Sequence, residues 1–284
     1  MSRILAPKYF CLLLLLMVAT QLPAREIRLI VLHTNDVHSR IEPHDASSRY
    51  AGKGGVLRRE VAIRQIRQEA KDSGAQVLLL DAGDFVQGMP YFNLFHGKVE
   101  VELMNRLGYD AATLGNHEFD CGIEALAKML RKADFPIVNC NYDLTATPLA
   151  KTVQPYIILR KGPLKIGIVA VGVNLQNLVI PSKREGLVYR DAIVQAESCA
   201  ALLKEQGCDL VICLSHLGYS SRGACDIELA EKSRHIDLII GGHSHTFLKA
   251  PKTFANLDGK PVLVTQMGKD GIYLGRIDLM IEQK

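Results

Sequence analysis

The sequence predicts an α/β domain whose sheets are covered on both faces, and three observations carry that reading. Short apolar runs of strand length alternate with amphipathic helical patterns along most of the chain. The runs are apolar throughout instead of alternating with polar residues, as expected of strands buried on both faces. Of the 284 residues, 48% are hydrophobic and 23% charged, which excludes disorder, collagen and coiled coil and leaves enough material for one sizeable core.

Apolar runs at 27–32, 77–80, 111–114, 137–138, 166–171, 210–214, 236–240 and 262–264 read as strands. Between them, Val56, Val61, Ile63, Ile66 and Ala70 recur at helical spacing among Arg58, Arg59, Glu60, Arg64 and Arg67. Residues 99–107, 123–130 and 192–203 behave in the same way. The Ser- and Gly-rich stretch 46–55 is a loop that feeds a helix at Gly55. The tail, 262–266 and 272–281, reads as two strands joined by a Gly-rich turn, an expected antiparallel hairpin. No internal repeat or long linker divides the chain.

The first residues read as an address. Arg3 and Lys8 precede ten consecutive apolar residues, 10–19, and small residues follow up to Ala24. That is the pattern of a secretory signal over 1–24, leaving a mature domain at 25–284 that is exported to the periplasm or cell envelope, or secreted. Ten residues fall short of the roughly 20 that span a bilayer, and no later run reaches that length, so the mature chain is expected not to span the membrane. An uncleaved anchor is the alternative. Formal net charge is only +4, two of those charges lie in the leader, and no basic run appears, so nucleic acid is not an expected partner. Cys121, Cys140, Cys199, Cys208, Cys213 and Cys225 remain after the leader. Their spacing fixes no disulfide framework, and Cys213, inside an apolar run, reads as a buried thiol. Without a C-x-x-C there is no zinc-ribbon or thioredoxin-like signal.

Chemistry gathers after the strands. The first run leads to Asp36 and His38, the second to Asp81 and Asp84, and the third to Asn116, His117 and Glu118. The run at 210–214 leads to His216, and that at 236–240 to His243 and His245. A single His or Asp after a strand is ordinarily a loop or capping residue. Ligands of α/β folds bind beyond the carboxyl ends of strands, so these residues are expected to meet at one sheet edge. Asp36, His38, Asp84, Asn116, His216, His243 and His245 form a mixed nitrogen and oxygen donor set. It is too large for one four-coordinate zinc and suits two metals sharing a carboxylate, an arrangement used in phosphoryl hydrolysis. The Gly52-Lys53-Gly54-Gly55 stretch lacks the order of a phosphate loop, and no G-x-S-x-G appears, so covalent nucleophilic catalysis is disfavoured.

The blocks Asp36-Val37-His38, Gly83-Asp84, Gly115-Asn116-His117-Glu118, Ser215-His216 and Gly241-Gly242-His243-Ser244-His245 resemble those of the calcineurin-like metallophosphoesterases. The flanks, residues 32–38 and Asn116-His117-Glu118-Phe119-Asp120, are similar to the catalytic domain of exported 5′-nucleotidases and UDP-sugar hydrolases. The resemblance covers residues 27–284 and implies a four-layer α-β-β-α sandwich with two facing mixed sheets. It implies one divalent metal on Asp36, His38, Asp84 and His245, and a second on Asp84, Asn116, His216 and His243. Their identity is open among Mn, Zn, Fe and Co. His117 would stabilise the phosphoryl oxygens or the leaving group, oriented by Asp120. Asp120 also reads as a helix N-cap. Asp81 and Glu118 are expected to support the fold or the ligands. His33, His44, His96 and His235 match no metal position.

The resemblance departs at the end, where the family carries a C-terminal nucleotide-binding domain that this chain is expected to lack. A separately encoded docking domain, stand-alone action on smaller phosphate esters, and a fragment or degraded copy are the open explanations. The activity expected is a dinuclear phosphoric-ester hydrolase of 5′-nucleotidase type acting on a small phosphate ester, a nucleoside monophosphate foremost. The alternatives are 2′,3′-cyclic nucleotides, UDP-sugars or a sulfur ester on the same fold, and a non-catalytic metal- or partner-binding module.

Overall fold

The computed structural model describes residues 26–220 and 223–282; the leader expected over 1–24 lies outside them. The first half of the chain runs β1 (Glu26–Thr34), α1 (Val56–Ser73), β2 (Gln76–Asp81), α2 (Pro90–Phe95), α3 (Lys98–Leu107), β3 (Ala111–Ala112), α4 (Ile123–Leu130), β4 (Ile137–Val138), β5 (Tyr142–Asp143) and β6 (Val153–Gln154). The second half runs β7 (Tyr156–Lys161), β8 (Leu164–Gly172), β9 (Val188–Tyr189), α5 (Ala192–Glu205), β10 (Leu210–His216), α6 (Asp226–Lys232), β11 (Leu238–Gly241), β12 (Lys252–Ala255), β13 (Pro261–Thr265) and β14 (Gly275–Glu282).

Two six-stranded mixed sheets result, in the orders β14-β1-β2-β3-β4-β6 and β12-β13-β11-β10-β8-β7, with β5 and β9 as a separate pair. The strand alternation explains the unbroken apolar runs. In β1, Leu29 and Val31 face the space between the sheets, while Ile30 and Leu32 face outward toward the residues of α1, α3 and α4. In β10, Leu210, Ile212 and Leu214 face inward, and Val211 and Cys213 face outward toward α5 and α6. Successive side chains of a strand point to opposite faces, so a strand apolar on both faces needs a layer on each side. The four layers α-β-β-α follow.

The tail corrects one expectation. Its two strands do not form a hairpin. β13 pairs parallel with β11 and antiparallel with β12, whereas β14 pairs antiparallel with β1 in the other sheet. The Gly-rich segment between them carries the chain across the edge of the sandwich. It is pinned there by Met267 N–H to Asn35 Oδ1 at 2.9 Å and Asp270 N–H to the Asp36 carbonyl at 2.8 Å. Burial of Ile277, with Leu279 and Ile281, in the inter-sheet core decides the choice. A hairpin would place that apolar face elsewhere. Strands β6, β7 and β12, not read from the sequence, form sheet edges, and helices α2 and α6 were likewise not read.

The run 111–114 is shorter than expected, with β3 ending at Ala112. Within each sheet the strands that lead to the candidate ligands are parallel, β1-β2-β3 in one and β10-β11 in the other. Their carboxyl ends therefore open on one rim, where the two sheets are joined by hydrogen bonds.

Candidate metal centre

The rim is held by contacts between loops from both sheets. The loop after β1 lies along the loop after β2, with Asp36 N–H to the Gly83 carbonyl at 2.9 Å, His38 N–H to the Asp84 carbonyl at 3.0 Å and Ser39 N–H to the Phe85 carbonyl at 3.1 Å. Across the sandwich, His243 N–H, after β11, donates to both Asp36 carboxylate oxygens at 3.0 and 3.1 Å. His216, at the end of β10, shares a 2.7 Å hydrogen bond between Nδ1 and the Ala82 carbonyl. A carbonyl only accepts, so Nδ1 carries the proton and Nε2 is left to face the site.

All nine residues singled out in the sequence meet at this rim. Asp36, His38 and His245 form one group of donor atoms lying within 4.8 Å of one another, and Asp84, His216 and His243 form a second. Asp84 also groups with His38 and His117, so it stands between the two. His216 Nε2 is 3.0 Å from Asp84 and 4.0 Å from Asp36, and His245 Nε2 is 3.5 Å from Asp36. Asn116 is buried, and its Oδ1 has no hydrogen-bond partner. His117 pairs through Nδ1 with Asp120 Oδ2 at 2.8 Å, and its ring lies 5.4 Å from that of His38. Asp120 does not cap α4; the N-cap is Gly122, and the carboxylate is spent on His117. His33, His44, His96 and His235 belong to none of these groups.

The backbone here is strained. Asp36, His38, Asp84, His243 and His245 all adopt positive φ, between 50° and 70°. Each such non-glycine residue costs on the order of 1–3 kcal/mol, and that strain persists only where surrounding contacts over-determine it. Part of the determination comes from Glu118. Its buried carboxylate accepts N–H groups from Gly115 at 2.6 Å, Asp84 and Phe85 at 3.0 Å, and Val86 at 3.4 Å. One side chain thus ties the Asp84 loop to the Asn116 loop. Asp81 acts similarly, accepting from Thr34 Oγ1 at 2.6 Å and Gly83 N–H at 2.9 Å. Both carboxylates support the ligand loops, as the sequence led us to expect. Gly115 is required by close approach: a Cβ there would collide with Asp84 Oδ1 and lie 2.6 Å from His216 Nε2.

Electrostatics favour a cation. Burial opposes charge on His216, yet the Asp84 and Asp36 carboxylates carry its pKa up to about 10. Burial, then the neighbouring His216, pushes His243 down to about 4, and burial likewise lowers His38. The pocket therefore holds two carboxylates that attract positive charge, beside His38 and His243 kept neutral, the form that ligates metal. Asn116 Oδ1 is a ligand atom with no protein partner, and the inward Nε2 of His216 faces the Asp84 carboxylate at 3.0 Å. The residues fit a metal site.

Outside the donors, the open pocket is lined by Arg40, Gln87, Gly88, Lys269 and Asp270 together with His38, His117 and His245. The sequence reading did not single out these five. The signals available were Arg40 two positions after His38, and a charged pair set between Gly268 and Gly271.

Comparison with known proteins agrees with this geometry. The family described as calcineurin-like phosphoesterase matches residues 29–247. The snake venom 5′-nucleotidase of Crotalus adamanteus is 35% identical over 94% of this chain and 47% of its own length. The crystal structure of a 5′-nucleotidase precursor from Thermus thermophilus superimposes with a TM-score of 0.78 at 29% identity, covering 90% of this chain and 55% of that one. The calcineurin-like phosphoesterase YfkN structure from Bacillus subtilis matches with a TM-score of 0.71 at 27% identity, covering 92% and 87%. The chain spans about half the length of the curated relatives it matches. With the match running across both sheets and through every block that supplies the rim, the chain belongs to the calcineurin-like phosphoesterase family.

Proposed function

We propose that this domain hydrolyses phosphomonoesters, nucleoside 5′-monophosphates foremost, at a two-metal centre. Asp36, His38, Asp84 and His245 would hold one divalent ion, and Asp84, Asn116, His216 and His243 the other. The observation that carries the reading is the convergence of two donor groups on Asp84 beside the His117–Asp120 pair. Relatives named 5′-nucleotidases support the substrate class. Manganese, zinc, iron and cobalt all suit mixed nitrogen and oxygen donors. Bound divalent ions supply Lewis-acid neutralisation of phosphoryl charge and make water a stronger nucleophile at neutral pH.

The chain's own residues do the rest. Asp120 holds His117 through Nδ1, and its hydrogen bond raises the His117 pKa. Nε2 is left to donate a proton toward a phosphoryl or leaving-group oxygen. Arg40 and Lys269 give the open side of the pocket positive charge that attracts an anionic ester. No helix among the described residues is long and apolar enough to cross a membrane, and the leader pattern supports export to the periplasm or cell envelope. A C-terminal nucleotide-binding domain is proposed to supply base recognition, since the relatives matched are about twice as long.

The test is phosphate release from AMP by the purified chain with Mn²⁺, beside the His117→Ala variant. Release that chelation abolishes and His117→Ala strongly reduces supports the reading. Metal bound without release from AMP overturns it, and a panel of cyclic nucleotides, UDP-sugars and sulfur esters then identifies the scissile bond.

A further inference from the structure

Two cysteines come together on the far side of the second sheet, away from the metal centre. Cys140 follows β4, and its N–H donates to the Ala170 carbonyl of β8 at 2.8 Å. Cys199 lies in α5, the helix that covers β8. Helix register places the two side by side. Leu203 of α5 sits against Gly167, where an added Cβ would fall 2.8 Å from its Cδ1. Cys199 is one turn back along the helix, about 6 Å. Two residues further along β8 advance a similar distance, to Val169, next to the position where Cys140 is bonded. The side chains agree with the register: both pack on the same apolar cluster, and each thiol lies near enough to shift the other's pKa.

The geometry points to a disulfide between Cys140 and Cys199, formed when the chain meets an oxidising disulfide. The other cysteines fit the pairing less well. Cys121 contacts His96, while Cys208, Cys213 and Cys225 are buried. Among the described residues no three thiols lie close enough together to form a metal group, which separates a thiol pair from a soft-metal site. Cys199 is the better nucleophile, because the neighbouring Cys140 lowers its pKa and its side chain is partly open. Its thiolate attacks a sulfur of the external disulfide, a new sulfur–sulfur bond forms, and one thiolate leaves. Cys140 gives up its proton to solvent and attacks the Cys199 sulfur, expelling the second thiolate. The protein loses two hydrogens, and the external disulfide is reduced to two thiols.

The link would fasten the outer helix of the second sheet to the loop leaving the first. Asn141, the next residue, exchanges two hydrogen bonds with Gly172 at 2.7 and 2.9 Å, so the tie falls on an already ordered crossing.

Tryptic mapping tests the pairing directly, because residues 133–151 and 191–204 are single-cysteine peptides carrying Cys140 and Cys199. The purified chain is treated with oxidised glutathione, its free thiols are alkylated, and it is digested without reductant. The expected result is one species joining these two peptides, two hydrogens lighter than their sum, that reductant separates. Reduction should also lower the Tm by roughly 5–10 °C, a shift absent from the Cys140→Ser/Cys199→Ser variant. Alkylation of both cysteines after oxidation overturns the proposal. So does glutathione left on Cys199, or a link from Cys199 to the peptide 205–222 that carries Cys208 and Cys213.

Discussion

The two halves of the candidate metal centre both rest on carboxylate and imidazole, with Asn116 in one alone, and differ in how far folding alone prepares them. Around His216 the site is mostly closed: the side chains of His216 and Asp84 are 0% and 2% exposed, the His216 ring is locked by the Ala82 carbonyl, and His243 is half-buried. Around His245 the site is open. The His245 side chain is 36% exposed and lies 3.1 Å from His38 Nε2, and His38 Nδ1 has no partner. The closed half has its tautomer and donor direction set by backbone. The open half has a carboxylate fixed in place and two imidazoles that a ligand must finish orienting. One half is preorganised by the core, and the other is left responsive where the pocket opens.

Removing the residue common to both halves gives the largest expected effect. Asp84→Ala should lower phosphate release by about 10³-fold or more and reduce bound metal at both positions, read by elemental analysis. Loss of only one equivalent would show that Asp84 is not shared. His117→Ala should come next, slowing turnover by about 10²–10⁴-fold with metal content unchanged. Metal lost along with activity would move His117 from the chemistry to the donor set.

The halves themselves are separated by a matched pair of variants. His216→Ala leaves the Asp84 and Asp36 carboxylates facing each other in a buried space, and should cost about 3–5 kcal/mol of stability, seen as a lower Tm. His245→Ala should leave the Tm nearly unchanged and lose one equivalent of metal, with activity partly restored by excess Mn²⁺. Equal Tm losses would erase the distinction. Graded chelation sharpens it with a smaller effect: the first equivalent should leave readily from the open half and the second more slowly, in two phases. A single phase would mean that burial does not govern release.

Much of this was legible in the sequence for a physical reason. Strand and helix periodicities are local, so runs such as 27–32 and 210–214 declared themselves, and chemistry placed after strands declared the rim. The His117–Asp120 pair was visible through the family resemblance, with Asp120 only three positions on from His117. The destination of the tail was not. Both tail strands have sound local patterns, yet β13 and β14 join different sheets because the apolar face of β14 finds its partners in β1 and the inter-sheet core. Nor was the strain legible, since positive φ at Asp36, His38 and Asp84 is imposed by loops distant in sequence. The lining charges Arg40 and Lys269 were hidden because exposed basic residues are ordinary until a fold places them beside a site.

The sequence by itself determined the layer class, the order of the donor blocks and the donor chemistry, all properties of residue type and short-range spacing. Only the tertiary structure decided which strands share a sheet, which half of the centre is closed, and which carboxylates hold loops in place instead of facing the pocket. Those outcomes depend on pairing and burial between segments far apart in the chain, and short-range spacing carries no record of them.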